Sequence, residues 1–324
     1  MKTVAQALLF FAMSFQLGAQ TAPDIEIYVR LDGKGDFTSI QEAIMSVRAF
    51  TEHTSIIYIS EGVYNEKVQI PTYLNKIVLE GAGADKTIIS YNDYSGRIVD
   101  GVKLSTFTSY TLHVQGDQIE LKNLTLENTS CGQGQAVALH IDGDEFLAEN
   151  VRLLGCQDTL YTGGPNSRHY IKDSYIEGTT DFIFGPSTVL FENCTINSKK
   201  NSYITAASTP KGVLFGYVFK NCHFTASEGI TEVYLGRPWR PYAKTVLIDC
   251  ILDQHILAFG WNPWKGDKLF PNKEKTTFYA EYNSQGPGAN PKGRVEWSFQ
   301  LSEREASYYT IDQILDYKHW VKNN

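Results

Sequence analysis

Glu192-Asn193-Cys194-Thr195-Ile196, Lys220-Asn221-Cys222-His223-Phe224 and Ile248-Asp249-Cys250-Ile251-Leu252 are three copies of one pattern. An Asn or Asp is followed by a short stretch in which every second side chain is apolar. Earlier copies are Lys122-Asn123-Leu124-Thr125-Leu126, Glu149-Asn150-Val151-Arg152-Leu153 and Lys172-Asp173-Ser174-Tyr175-Ile176. The Asn/Asp positions 123, 150, 173, 193, 221 and 249 advance by 27, 23, 20, 28 and 28 residues. Self-similarity at about 20–50 residues marks stacked repeats. Alternation buries every second side chain of a strand. Asn and Asp suit the preceding bend because they bond local backbone and tolerate left-handed geometry. Uneven steps mean loops of variable length on a regular coil, so the fold is expected to be all-β, a single-stranded parallel β-helix. A β-sandwich would need two-residue hairpin turns, and few are present.

Outward from this core, Ser55–Ile59 and 76–79 are expected to begin the stack. Residues 38–47 have helical periodicity, with Ile40, Ala43, Ile44 and Val47 on one face. That helix would cap the open end of the coil, as terminal repeats must. The tail after Ser302 is polar and reads as helical. Cys194, Cys222 and Cys250 recur every 28 residues, which is not a disulfide-scaffold spacing. They are expected as small buried groups in one interior column; a disulfide between neighbours there is left open.

Lys2, an apolar run from Val4 to Leu17 and the small residues Gly18-Ala19 read as a secretory signal peptide over residues 1–20. The run is too short for a membrane span, and no lipid-anchor cysteine follows it. A secreted or periplasmic protein is expected, with one domain over residues 21–324. The net charge of −7 comes without any Lys/Arg cluster, which disfavours nucleic acid and anionic membranes.

No Gly-x-Ser-x-Gly elbow is present. The seven histidines lack His-Glu-x-x-His spacing and read as surface or core residues. Other metal-ligand spacing is absent too, so no metal or cofactor is expected. Two carboxylates remain: Asp158 in Gln-Asp-Thr-Leu and Asp181 in Asp-Phe-Ile-Phe-Gly, 23 residues apart. Residues one coil apart lie side by side at the ~4.8 Å strand spacing. Gln135 stands 22 residues before Gln157, so both glutamines would share that face. Spacing alone leaves two readings, a structural polar ladder or a catalytic constellation.

Gly62-Val63-Tyr64-Asn65-Glu66, Gln135–Leu139, Gln157–Leu160, Asp181–Gly185 and Leu235–Trp239 resemble, in order, the five signature segments of pectin methylesterases. Flanking matches include Gly35-Asp36-Phe37-Thr38, Arg168, Gly260-Trp261 with Trp264, and Arg294-Val295 with Trp297. The similarity runs from about Ile25 to Trp297 without substitution at a signature position. Departures are the Pro-Asn-Ser loop after Gly164, a short stretch between Asp181 and Arg237, and no resemblance to the N-terminal inhibitor-like domain of many plant forms. The resemblance implies a right-handed parallel β-helix that demethylates methylated homogalacturonan (pectin) as a monomer. It also implies Asp181 as nucleophile, Asp158 as acid/base, Gln157 and Gln135 as oxyanion donors, and Arg237 as the holder of Asp181. Thr106, Phe184 and Trp239 would contact the sugar chain, together with Gln135 and Arg237.

These roles make chemical sense. A methyl ester needs a nucleophile, an oxyanion donor and a proton for departing methoxide. Arg237 is expected to keep Asp181 ionised, and that charge to raise the pKa of Asp158. Tyr161, Phe184, Trp239, Trp261 and Trp264 would line the groove. A pectin lyase or glycosidase is the competing enzyme class, and a non-catalytic carbohydrate-binding solenoid the competing non-enzyme. The glutamines and arginine around the carboxylates favour acyl transfer over the calcium site or spaced carboxylate pair those enzymes use.

Overall fold

The computed structural model describes residues 24–321; the expected signal peptide lies outside them. Three parallel sheets of 11, 8 and 7 strands run the length of the chain, and each full coil gives one strand to each. One coil, for example, is Phe146–Glu149, Arg152–Leu154 and Leu160–Thr162, and the next is Arg168–Lys172, Tyr175–Gly178 and Ile183–Gly185. This is a parallel β-helix. The stack begins one strand earlier than the sequence suggests, at Ile25–Val29, which pairs with Ser55–Ile59.

The interior is a set of columns. On the long sheet, Ile27, Ile57, Leu79, Leu121, Ala148, Ile171, Phe191, Phe219 and Leu247 stand in successive register. All are buried. Phe191 and Phe219 stack with ring centroids 4.5 Å apart. The next member of that column is Glu281, a charge at an interior position. Arg294 meets it with two hydrogen bonds, Nε to Oε1 at 2.6 Å and Nη2 to Oε2 at 3.1 Å, and so closes the C-terminal end.

The other end is closed by the helix Ile40–Ser46, which buries Ile40, Ala43 and Ile44. Ser39 caps it, and the Glu66 carboxylate accepts from Ile40 N and Gln41 N at 3.0 and 3.1 Å. The helix lies within the expected 38–47 and is shorter at both ends.

Asn123, Asn150, Asp173, Asn193, Asn221 and Asp249 all have φ between 50° and 55°, and Asn283 adds a seventh at 50°. Left-handed geometry costs most L-residues about 1–2 kcal/mol, which is why Asn and Asp recur at this corner. Several also bond along the stack, as Asn150 Nδ2 does to Asn123 Oδ1 at 2.6 Å. Cys194, Cys222 and Cys250 follow this corner in the interior as free thiols. The disulfide joins Cys131 to Cys156 instead.

The tail is more than the sequence conveys. Its three short helices, Glu303–Ala306, Ile311–Leu315 and Tyr317–Val321, carry Ile314, Leu315 and Trp320. These pack on Leu147, Tyr170, Leu190, Val218, Val246 and Ala280 of the long sheet's outer face. Arg168 Nη1 secures the cover through the Leu315 carbonyl at 3.0 Å.

Asn221 is exposed and left-handed, so backbone geometry dominates its contribution. Asn221→Val should lower stability by about 1–2 kcal/mol, whereas Asn221→Gly should change it by a few tenths. Urea midpoints for the two variants check this; equal losses would mean the corner needs the side chain.

Candidate active site

The outer face of the 7-stranded sheet carries the register column Gln69, His113, His140, Tyr161, Phe184 and Ala206. Asp158 and Asp181 sit two residues ahead of Leu160 and Ile183, which pair. The two aspartates are therefore neighbours on successive coils, as the 23-residue spacing predicts. Both are left-handed, with φ of 67° and 49°, a conformation Asp tolerates better than most residues. Their backbones are secured one coil on, Asp158 N to Thr180 O at 3.1 Å and Asp181 N to Tyr203 O at 2.8 Å.

The glutamines are aligned by a bulge. Ala138 N and Leu139 N both donate to Thr159 O, at 2.8 and 3.2 Å, so one extra residue is absorbed there. Ahead of the bulge, Ala136 N donates to Gln157 O at 3.0 Å, which sets Gln135 level with Gln157. Both side chains are half-buried. The Cys131–Cys156 disulfide ties the loop ahead of Gln135 to the residue ahead of Gln157. Nothing in the cysteine spacing signals that link.

Arg237 grips Asp181 with both prongs, Nε to Oδ1 at 3.0 Å and Nη2 to Oδ2 at 2.6 Å. Its guanidinium lies between Tyr203 and Trp264, 3.9 and 3.7 Å from their ring centroids. A planar, permanently charged group sandwiched between rings has little freedom to leave its carboxylate. Neither aromatic contact is apparent from the motifs. Lys273, also unanticipated, is buried with its ammonium 4.5 Å from the Trp264 centroid and paired to Asp267 at 2.7 Å.

Asp158 and Asp181 are 8% and 7% exposed. Burial pushes the Asp158 carboxyl well above the usual range, and the Asp181 charge pushes it further; Arg237 and the Gln157 amide only partly offset this. Asp181 departs from expectation. Burial raises it too, outweighing the hydrogen bonds and charge of Arg237 and the more distant Lys273. Arg237 therefore does not hold Asp181 below the ordinary value. It sets the order: Asp181, directly paired to a cation, ionises before Asp158.

Aromatic rings surround the carboxylates. Phe184 packs 4.8 Å from Tyr161 and 5.8 Å from Trp239, and Trp239 is half-buried. Thr106 opens the turn Thr106–Thr108, whose Phe107 ring lies 5.0 Å from Tyr161. Trp261 is 1% exposed and packs at a tilt on Tyr279, with ring centroids 4.4 Å apart, at the base of the neighbouring cleft rather than beside the carboxylates. Beyond Arg237 opens a cleft of about 1030 Å³, bounded by Tyr203, Tyr234, Phe259, Trp264 and Trp297. Asp158 and Asp181 do not line that cleft; Arg237 joins the two.

A buried carboxylate pair with an arginine clamp on a parallel β-helix defines a solenoid equipped for acid/base or nucleophilic chemistry. Residues 26–318 match the sequence model of the Pectinesterase family. Pectinesterase 31 of Arabidopsis thaliana is 36% identical over 297 residues, covering 90% of this chain and 92% of the relative. The chain belongs to the pectinesterase family. Probable pectinesterase/pectinesterase inhibitor 58 of the same plant is 35% identical, covering 92% of this chain and 53% of the relative, so the chain spans about half of that longer protein. Among solved structures, carrot pectin methylesterase superimposes with a TM-score of 0.84 at 28% identity, covering 94% of this chain and 97% of the other. A pectin methylesterase mutant in complex with a hexasaccharide superimposes with a TM-score of 0.81 at 29% identity, covering 91% and 98%.

Both carboxyls are raised, so each holds its proton more tightly in the folded chain than in the unfolded one. That stabilisation is fully present below the unfolded value of ~3.9 and is lost as pH rises through the folded value. Replacing the buried charge by a neutral isostere should therefore help at neutral pH: Asp158→Asn should raise Tm at pH 7, with the gain shrinking toward pH 4. Melting curves at the two pH values check this; a lower Tm at pH 7 would show that the charge is satisfied rather than strained.

Proposed function

We propose that this chain hydrolyses the methyl esters of methylated homogalacturonan, with Asp181 as nucleophile and Asp158 as acid/base. The observation that carries the reading is the asymmetry of the pair. Asp181 is clamped by Arg237, while Asp158, equally buried, makes no ion pair among the described residues. Paired carboxyls with separated pKa values divide acid and base roles.

In the proposed reaction an Asp181 oxygen attacks the ester carbonyl carbon, and the electron pair moves onto the carbonyl oxygen. Gln157, with Gln135 level on the preceding coil, donates to that oxyanion. As the intermediate collapses, the C–O bond to methoxide breaks and Asp158 supplies the proton, releasing methanol. The product is a mixed anhydride on Asp181. Asp158, now a carboxylate, takes a proton from water as the water oxygen attacks the substrate carbonyl carbon of that anhydride. The anhydride bond breaks, galacturonate leaves, and Asp181 returns to the grip of Arg237. Each role is filled by a side chain, so the cycle requires no metal. Trp239, Phe184 and Thr106 would hold the sugar chain over the pair.

An exported monomer fits this substrate. The Cys131–Cys156 disulfide is the type of bond that persists in oxidising compartments. No helix among the described residues is long and apolar enough to cross a membrane.

Methylated pectin incubated with the protein should yield methanol and free carboxylate in equal amounts, with unchanged chain length and no unsaturated-sugar absorbance. Double bonds or chain shortening would sink the esterase reading. Gln157→Ala should lower kcat by roughly 10²–10³, the usual loss for one oxyanion donor; unchanged kcat would make the glutamine a structural ladder residue.

The aspartates separate by leaving group. Asp181→Asn should abolish turnover, because an amide cannot attack. Asp158→Asn should cost on the order of 10²–10⁴, as loss of a general acid does. A phenyl ester, which departs with less proton assistance, should restore the pre-steady-state burst in Asp158→Asn alone. A burst in Asp181→Asn but not in Asp158→Asn would reverse the assignment.

A further inference from the structure

His113 stands 27 residues before His140 and 29 before Asp142, yet the sheet brings them together on the outer face, His140 on the coil directly before that of Asp158 and His113 one coil earlier. His113 and His140 occupy the same register position on adjacent strands, and their rings stack with centroids 3.9 Å apart. Both are buried. Their Nε2 atoms converge on one oxygen: Asp142 Oδ2 lies 2.7 Å from His113 and 3.1 Å from His140. All three ligand-type atoms fall within 4.8 Å of one another. Space for the carboxylate comes from Gly163, where a Cβ would fall 2.0 Å from Asp142 Oδ1.

The proton arrangement makes this more than a hydrogen-bonded cluster. His140 Nδ1 lies 3.2 Å from the Phe107 carbonyl, which can only accept, so Nδ1 carries the proton. In the neutral ring Nε2 is then a lone-pair donor. That atom is buried, 3.1 Å from Asp142 Oδ2. A buried lone pair facing a carboxylate, both acceptors, needs a positive charge between them, which a second proton on the ring or a bound cation supplies. A backbone carbonyl on the distal nitrogen is also the usual support for a metal-bound histidine, fixing its tautomer and ring plane.

We propose that His113, His140 and Asp142 form a divalent-cation site of the zinc class, built into the floor of the groove through His113 Nε2, His140 Nε2 and Asp142 Oδ2. Two imidazoles and one carboxylate suit a borderline ion such as Zn²⁺ rather than an oxygen-seeking Ca²⁺. Metal–ligand bonds of ~2.0–2.1 Å in a tetrahedron place ligand atoms ~3.3 Å apart. Reaching that geometry requires Asp142, whose side chain is 38% exposed, to move outward and the two rings, now 25° from parallel, to rotate until both Nε2 lone pairs meet at one point. The site lies away from Asp158 and Asp181, and its presence or absence leaves the esterase reading untouched.

Isothermal titration of Zn²⁺ into chelator-treated protein decides the proposal, with Co²⁺ absorption reporting geometry. The wild type should bind one equivalent, with the visible band of tetrahedral cobalt. His140→Phe, which keeps the aromatic stack, and Asp142→Asn should each weaken binding beyond the ~10–100-fold that loss of a mere outer partner costs. Metal-free melting curves verify the folds; should His140→Phe not fold, the half-exposed Asp142→Asn decides alone. No one-equivalent binding in the wild type overturns the proposal. Undiminished binding in either folded variant does so too, placing the ion elsewhere, for instance at the His223–Asp253 pair, 3.0 Å apart.

Discussion

Backbone pairing between residues one coil apart governs this molecule. Parallel hydrogen bonding fixes which side chain stands beside which, because a slip of one residue would turn every side chain of a strand to the opposite face. Inside, that constraint stacks like on like, from Ile27 through Phe191 and Phe219 to Leu247. Outside, it sets Asp158 beside Asp181 and His113 beside His140. Where the chain supplies one residue too many, between Gln135 and Leu139, a bulge at Ala138 absorbs it and keeps the glutamines level. The scaffold and the site are two faces of one register.

Two carboxyls held this close and this buried oppose folding. The chain limits the opposition with Arg237, held flat by Tyr203 and Trp264, and leaves Asp158 without a cation of its own. Active sites commonly retain such destabilising groups where activity needs them. Burial acts on both aspartates, so the difference between them comes chiefly from the bidentate clamp on Asp181 and from the charge Asp181 sets beside Asp158.

Much of this was legible in the sequence, for identifiable reasons. The Asn/Asp corners declared the coil because left-handed backbone restricts residue choice, and all six positions adopt it. The spacing of Asp158 and Asp181 translated directly into adjacency. Side-chain contacts between distant loops were not legible: Trp264 over Arg237 and Lys273 behind it arrive from segments outside the strand repeat. Cys131 and Cys156 carry no distinctive spacing, whereas the cysteines that do recur prove to be buried thiols. The histidine pair could have been found. His113 and His140 are 27 residues apart, the same step that separates Asn123 from Asn150. The tail's helices were legible, but its packing was not: segments of four and five residues are too short to show a periodic face, yet Ile314, Leu315 and Trp320 all pack on one sheet.

That cover has a bearing on how the chain is made. Ile314, Leu315 and Trp320 leave the ribosome long after the strip they shield, which is laid down from Leu147 onward. During synthesis and transport the growing solenoid therefore presents a continuous apolar flank of parallel strands, with nothing of its own to place over it. Such surfaces invite association between unfinished chains. The coils can wind in order from the helix Ile40–Ser46, but the flank is shielded only once Ile314, Leu315 and Trp320 have been made. Truncations near the C-terminus would then be recognised less by lost activity than by their appearance in inclusion bodies.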